Sequence, residues 1–386
     1  MDRRTSANLD GLFFAPALPR AIEALLLIDD VAAGSGASRF KASRPPPYRE
    51  TIDYRAFGSL RQADVYRPGG REEAEAALVV VPGIVRLGKD DPRIVAFAES
   101  MARARFEVFV PDLQSLRNLS IRSRDAEEIG ALISYIASDA FSETGATIGI
   151  VAFSYAAGPA ILAAMRPETQ TLVRFVYAIG PYYDMEAVGA FLTTGYIRES
   201  PDREWKKRTP SPYATWVFVN SSAGLLESAN DRGILRQMSE IKLADPEADV
   251  ADLAAQLGQE GQAVFRLLLN TDPERVPHLI SELPPPLLAE LRRLDLRSRN
   301  MADLKADLIL LHGKDDALLP YSESIALAAA AGSDKAHLFV IDSLIHVELR
   351  AGGIVDLWKL WRASHLLLRE RDAMHRPKAY TPPLPG

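Results

Sequence analysis

The sequence predicts an α/β fold: a mostly parallel, doubly wound sheet with a helical insertion between two of its strands. Three observations carry this reading. Short continuous apolar runs recur along the chain, at Ala76–Gly83, Phe106–Pro111, Thr147–Phe153, Arg174–Gly180, Asp307–Leu311 and His337–Ile341, and such runs are the mark of strands buried on both faces. Segments of helical period separate most of them, so successive strands need crossovers and pair in parallel. Between residues 185 and 305 the rhythm breaks, and helical stretches replace strands.

The elements follow in order. Residues 1–48 read as an N-terminal arm and linker. An amphipathic helix is expected near Leu18 to Asp30, and Gly34, Gly36 and Pro45–Pro47 mark a linker over 31–48. The plain expectation is that this helix packs on the main domain. The alternative is that Phe13, Phe14, Leu25, Leu26 and Leu27 touch a membrane surface or a second subunit. Residues 49–184 form the first part of the core. Strands Glu50–Phe57 and Leu60–Arg67 are joined by a hairpin at Gly58-Ser59, and helices follow at Asp91–Arg105, with Pro92 in its first turn, and at Ser123–Ser138. Residues 185–305 are the insertion, with helices at Leu235–Lys242, Val250–Leu257, Gly261–Asn270 and Pro286–Leu296, and an ambiguous strand at Ala214–Asn220. Residues 306–371 resume the core and close with a helix over Ile354–Glu370. Residues 372–386 are a proline-rich tail, expected to be extended or disordered from Pro377 to Gly386.

Composition narrows the function. Of 386 residues, 47% are hydrophobic and 25% charged, an ordinary globular balance. The net charge of −6 leaves no basic excess for nucleic acid. With no cysteine, disulfides, thiolate catalysis and cysteine-metal sites are excluded. No stretch reaches the ~20 apolar residues of a spanning helix. The apolar run Gly11–Leu18 follows Asp10 and is broken by Pro16, unlike a secretory segment, so a cytoplasmic location is expected. Gly83-x4-Gly88-Lys89 lacks the Ser or Thr of a phosphate loop. No ligand spacing suggests a metal, and no cofactor is expected. Arg203, Lys206, Lys207 and Arg208 form a basic run, read as a solvated face or as an attractor of anionic substrates.

The chemistry concentrates at Ser154. It stands between an apolar strand and a helix of small apolar residues, Tyr155-Ala-Ala-Gly-Pro-Ala-Ile-Leu162. A serine on such a turn presents its hydroxyl above the sheet edge, as in a nucleophile elbow. Ala152 and Ala156 supply the small flanking residues in place of the glycines of G-x-S-x-G. A hydroxyl needs an imidazole to take its proton, and the imidazole needs a carboxylate to fix its tautomer. Asp316 and His346 each follow a strand, in the order nucleophile, acid, base. Among six histidines, at 278, 312, 337, 346, 365 and 375, only His346 lies past a late strand and before the last helix; His337 begins that strand and His312 sits in the acid's own turn, where a turn hydrogen bond is expected. The backbone N–H groups of Tyr155 and of Ile84, in the loop Val81–Gly88, are the expected oxyanion donors.

These residues resemble the α/β-hydrolase family. Its acid pattern, H-G-x-x-D-x-x-(V/L)-P, is matched by His312-Gly313-Lys314-Asp315-Asp316-Ala317-Leu318-Leu319-Pro320, and its histidine follows the last strand, as His346 does. Where family members often carry His-Gly in the oxyanion loop, this chain has Pro82-Gly83. The spacing to Pro320 selects Asp316 over Asp315; Asp184, after the strand that follows the nucleophile, is the alternative acid. The resemblance implies a serine hydrolase that cleaves a small-molecule ester, thioester or amide through an acyl-enzyme. Its alternatives are an acyltransferase on the same triad and a non-catalytic scaffold that binds an apolar ligand or a protein. The insertion is expected to be a mobile cap whose apolar residues Leu253, Leu257, Phe265, Leu268, Leu287 and Leu291 shape an acyl pocket.

Overall fold

In the computed structural model, residues 19–139, 147–200, 202–346, 348–349 and 353–374 are described. Phe13, Phe14 and the expected tail Pro377–Gly386 lie outside them.

Helix α1, Arg20–Ala33, precedes a short helix α2, Arg39–Ser43. The segment 31–48, expected as a linker, thus holds a helix, because Phe40 is fully buried in the core and Ser38 caps it by accepting from Lys41 N. β1, Tyr48–Ala56, and β2, Ser59–Arg67, form the expected antiparallel hairpin. β3 Ala76–Val81, α3 Pro92–Arg103, β4 Phe106–Pro111, α4 Arg124–Asp139, β5 Ile148–Phe153, α5 Ala157–Ala164 and β6 Val173–Ile179 follow.

The insertion then contributes α6 Met185–Thr194, α7 Pro212–Ala223, α8 Ala229–Ala244, α9 Gln259–Leu268 and α10 Pro285–Leu294, with shorter turns between them. Ala214–Asn220, ambiguous from sequence, is the body of α7: Pro212 opens it, and Ala214, Trp216, Val217 and Val219 are buried at helical rather than alternating spacing. α6 has no counterpart among the expected helices; Asp184 caps it and Gly195, in the left-handed region, ends it. β7 Asp307–Gly313, α11 Ser322–Ala331, β8 Ala336–Ile341 and α12 Ile354–Met374 complete the fold.

Among the described residues the main sheet has eight strands in the order β1-β2-β4-β3-β5-β6-β7-β8. β2 pairs antiparallel with β1 and β4; every other pairing is parallel. Alternation in β3 feeds two cores: Ala77, Val79 and Val81 face α4 and α5, while Leu78 and Val80 face α1, α3 and α12. α1 packs as plainly expected. Ala24 and Leu27 are in the second core, whereas Ile22 and Leu25 are exposed. β5 lies at the middle of the sheet, so its carboxyl end is flanked by the ends of β3 and β6, where an open α/β sheet presents its crevice.

Candidate active site

Ser154 follows the last residue of β5 and begins the single 3₁₀ turn, Ser154–Ala156, that leads into α5. Its φ of +57° lies in the left-handed region, which costs a non-glycine residue about 1–3 kcal/mol and persists only where packing holds it. Ala152 and Ala156, both almost wholly buried, leave room for that turn. Gly83 approaches the elbow from the end of β3: a Cβ there would stand 3.7 Å from Ser154 Cβ and 3.5 Å from the Phe153 carbonyl oxygen. The next N–H, that of Ile84, donates no hydrogen bond among the described residues. Ile84, Tyr155, Ser154 and His346 line one cavity of about 540 Å³.

His346 is held on a tight hairpin, Leu344–Ile345 against Glu348–Leu349, directly after β8, and has a φ of +53°. Its Nδ1 lies 2.8 Å from Asp316 Oδ2. An ionised carboxylate only accepts, so Nδ1 carries the proton, and in the neutral ring Nε2 is an acceptor. Asp316 is fixed in turn: its Oδ1 accepts from Leu318 N at 2.7 Å and Leu319 N at 3.1 Å. Burial pushes this carboxyl up, but hydrogen bonds and charge from His312 and His346 outweigh it and hold the group well below the usual carboxylate range.

His312 does more than the expected turn bond. It is fully buried, with Nε2 2.9 Å from the Leu319 carbonyl and 3.5 Å from Asp316 Oδ2. The carbonyl can only accept, so Nε2 bears a proton, and Nδ1 lies 2.7 Å from the Ser324 hydroxyl. Two glycines are also part of the site. Gly180, at φ +64°, sits where a Cβ would be 3.3 Å from Asp316 Oδ2, and Gly313 where a Cβ would be 2.0 Å from the Leu344 carbonyl oxygen. Gly313 is the glycine of the acid pattern, but its approach to Leu344 was not readable from sequence. For Gly180 the only available signal was a glycine at the carboxyl end of its strand.

The alternative acids are engaged elsewhere. Asp184 caps α6 through Glu186 N and Ala187 N and pairs with Arg297 at 3.1 Å. Asp315 is exposed and pairs with Arg208 at 3.2 Å. Lys206 pairs with Glu199, and Lys207 lies over the Tyr196 ring, so much of the basic run is satisfied locally. Lys89 is held by Asp64 at 3.0 Å. Ser154 Oγ makes no hydrogen bond to the His346 ring among the described residues; the two share the cavity.

The walls differ from the expected ones. From the insertion, Tyr213, Ala214 and Val217 of α7 line the Ser154 cavity. Leu287 and Leu291 line instead a separate cavity of about 30 Å³ behind Tyr155 and Val217. Leu257 is buried in the core against α8 and α9, where Leu253, Phe265 and Leu268 also pack. Their periodic apolar faces are spent on holding the insertion together. No group of three or more His, Asp or Glu among the described residues could hold a metal. No described helix is long and apolar enough to cross a membrane.

With this geometry in view, no protein-family model and no curated protein sequence matches the chain significantly. Solved structures do. A Legionella pneumophila protein provisionally described as a hydrolase aligns at 14% identity over 93% of this chain and 97% of its own, with a TM-score of 0.56. A brefeldin A esterase, a bacterial homologue of human hormone sensitive lipase, aligns at 14% identity over 93% and 85%, with a TM-score of 0.45. An esterase of Pyrococcus furiosus aligns at 12% identity over 83% and 91%, again with a TM-score of 0.45. The chain has the α/β-hydrolase fold, with its mostly parallel sheet and helical insertion.

Proposed function

We propose that the protein is a serine hydrolase that cleaves a small carboxylic ester. Ser154 is the nucleophile, His346 the base, Asp316 the acid that orients it, and the N–H groups of Ile84 and Tyr155 the oxyanion donors. The observation that carries this reading is the Asp316–His346 pair at 2.8 Å, opening on the same cavity as a serine in left-handed backbone. In the reaction, Nε2 of His346 takes the Ser154 proton as Oγ attacks the carbonyl carbon. The same proton passes to the leaving alkoxide as the acyl-enzyme forms. Water, deprotonated by the same nitrogen, then attacks the acyl carbon; the bond to Oγ breaks, the proton returns from Nε2 to Ser154 Oγ, and the carboxylic acid leaves. Residues 185–305 act as the cap over this site through α7.

The missing Ser154–His346 hydrogen bond favours a second reading, a non-catalytic scaffold that binds an apolar ligand. Reaction with a fluorophosphonate probe separates the two. Labelling of the wild-type protein at Ser154, lost in Ser154→Ala, is expected. An acylation-inert but folded wild type, with no turnover of a p-nitrophenyl ester panel, would leave only the scaffold.

A further inference from the structure

One wall of the Ser154 cavity comes from a segment that belongs neither to the sheet nor to the insertion. Val31, Ala32 and Gly34, the last turn and cap of α1, line it together with Ile94 and Phe97 of α3. The helix is anchored at both ends. In its first turn Glu23 accepts from Arg371 at 2.7 and 2.9 Å. At the cavity end, Asp30 pairs with Lys41 at 2.8 Å and accepts from Arg103 at 3.2 Å. A helix held at both ends can discriminate by size, whereas a frayed one would yield to any ligand. The charged side chains at the cavity, Asp91 and Arg93, are bonded to each other twice at 3.0 Å, so their charges cancel locally. What remains toward a ligand is mainly aliphatic and aromatic surface, in a volume within the range of small-molecule sites.

From this we infer that the end of α1, through Val31 and Ala32, sets the length of the uncharged aliphatic chain carried by the ester substrate. The inference rests on the serine-hydrolase reading for the bond cleaved, but the wall itself can be tested without cleavage. Ala32 is exposed and Val31 half-buried, so larger side chains there narrow the cavity without opening the core.

The experiment compares Ala32→Trp and Val31→Phe with Leu25→Trp, a control on the exposed side of the same helix. Thermal melts first establish that each variant is folded. In an otherwise wild-type background, kcat/KM is measured for p-nitrophenyl acetate and p-nitrophenyl dodecanoate. In a Ser154→Ala background, the affinity for cis-parinaric acid is measured by fluorescence. The two wall variants should lose roughly tenfold or more on the dodecanoate and on the fatty-acid probe, and little on the acetate, as a hydrophobic pocket discriminates small changes in chain size. Leu25→Trp should resemble the wild type. Equal losses on both esters, unchanged profiles in folded wall variants, or no binding of the probe by Ser154→Ala would each overturn the assignment. If the wild type cleaves no ester, but Ala32→Trp still abolishes probe binding, the hydrolase reading fails and the wall stands.

Discussion

Asp316 spends both its oxygens, one on two backbone N–H groups and one on His346, with His312 close behind. In the proposed triad its side chain therefore orients rather than merely neutralises. Asp316→Asn should present the wrong imidazole tautomer and lower kcat by up to roughly 10⁴, while Asp315→Asn and Asp184→Asn leave kcat near wild type. Steady-state kinetics on the three purified variants decides, and a greater loss for Asp184→Asn would reassign the acid. Gly180 gives a sharper residue-scale case. A Cβ there is strained by its φ of +64° and crowds Asp316 Oδ2 at 3.3 Å. Gly180→Ala should lower kcat more than it raises KM, since it displaces the acid without touching the cavity. The meeting of Asp316 and His346 was legible because Asp316 sits in a recognisable pattern and His346 follows the last strand. Gly180 was not, because close approach between two loops far apart in sequence leaves no local trace.

Elements carry two buried carboxyl groups that tie helices to the frame. Glu323, at the start of α11, accepts from Tyr183 N at 2.9 Å and Asp184 N at 2.7 Å, and burial pushes it from 4.5 up to about 8. Asp125 in α4 is raised by burial from 3.8 to about 7. Both bind a proton more tightly folded than unfolded. Their contribution is therefore fully present below about pH 4 and is lost as pH rises through these raised values. Urea unfolding should show stability falling between pH 5 and 8, and Glu323→Gln should flatten much of that fall; an unchanged slope would show that Glu323 is ionised throughout. The α5–α10 contact is tested separately. Tyr182 donates to the Leu294 carbonyl at 3.1 Å, and its hydroxyl lies 2.1 Å from where a Gly158 Cβ would be. Gly158→Ala should destabilise by about 1–3 kcal/mol through overpacking, read as a lower urea midpoint. The insertion's helices were partly legible from their period. Their burial against one another was not, because a periodic apolar stripe says that a face is covered and not by what. Leu253 and Phe265 were therefore expected at the pocket and instead pack in the core.

For the whole molecule, the strand sequence and the doubly wound architecture were readable, since parallel pairing follows from strands separated by crossovers. The short helix over residues 39–43 was not, because Gly34, Gly36 and the prolines read as a linker, nor was the ion pair of Glu23, whose partner Arg371 lies far along the chain. Arg371 in α12 is enclosed by Glu23, Glu75 and Asp372 and also donates to the Ala104 carbonyl at 2.7 Å. Arg371→Leu leaves Glu23 buried without its cation and should cost about 3–5 kcal/mol, measured by urea denaturation; a loss below about 1 kcal/mol would mean that α1 is held by apolar packing alone. This clasp has a consequence for biosynthesis. On the ribosome, α1 emerges first and the α12 residue that neutralises Glu23 emerges more than three hundred positions later. Until then the helix has α2 and α3 to lean on but not its main counterweight. The cavity wall beside Ser154 is therefore among the last surfaces to set, and a nascent chain that already displays the elbow still lacks a finished cavity.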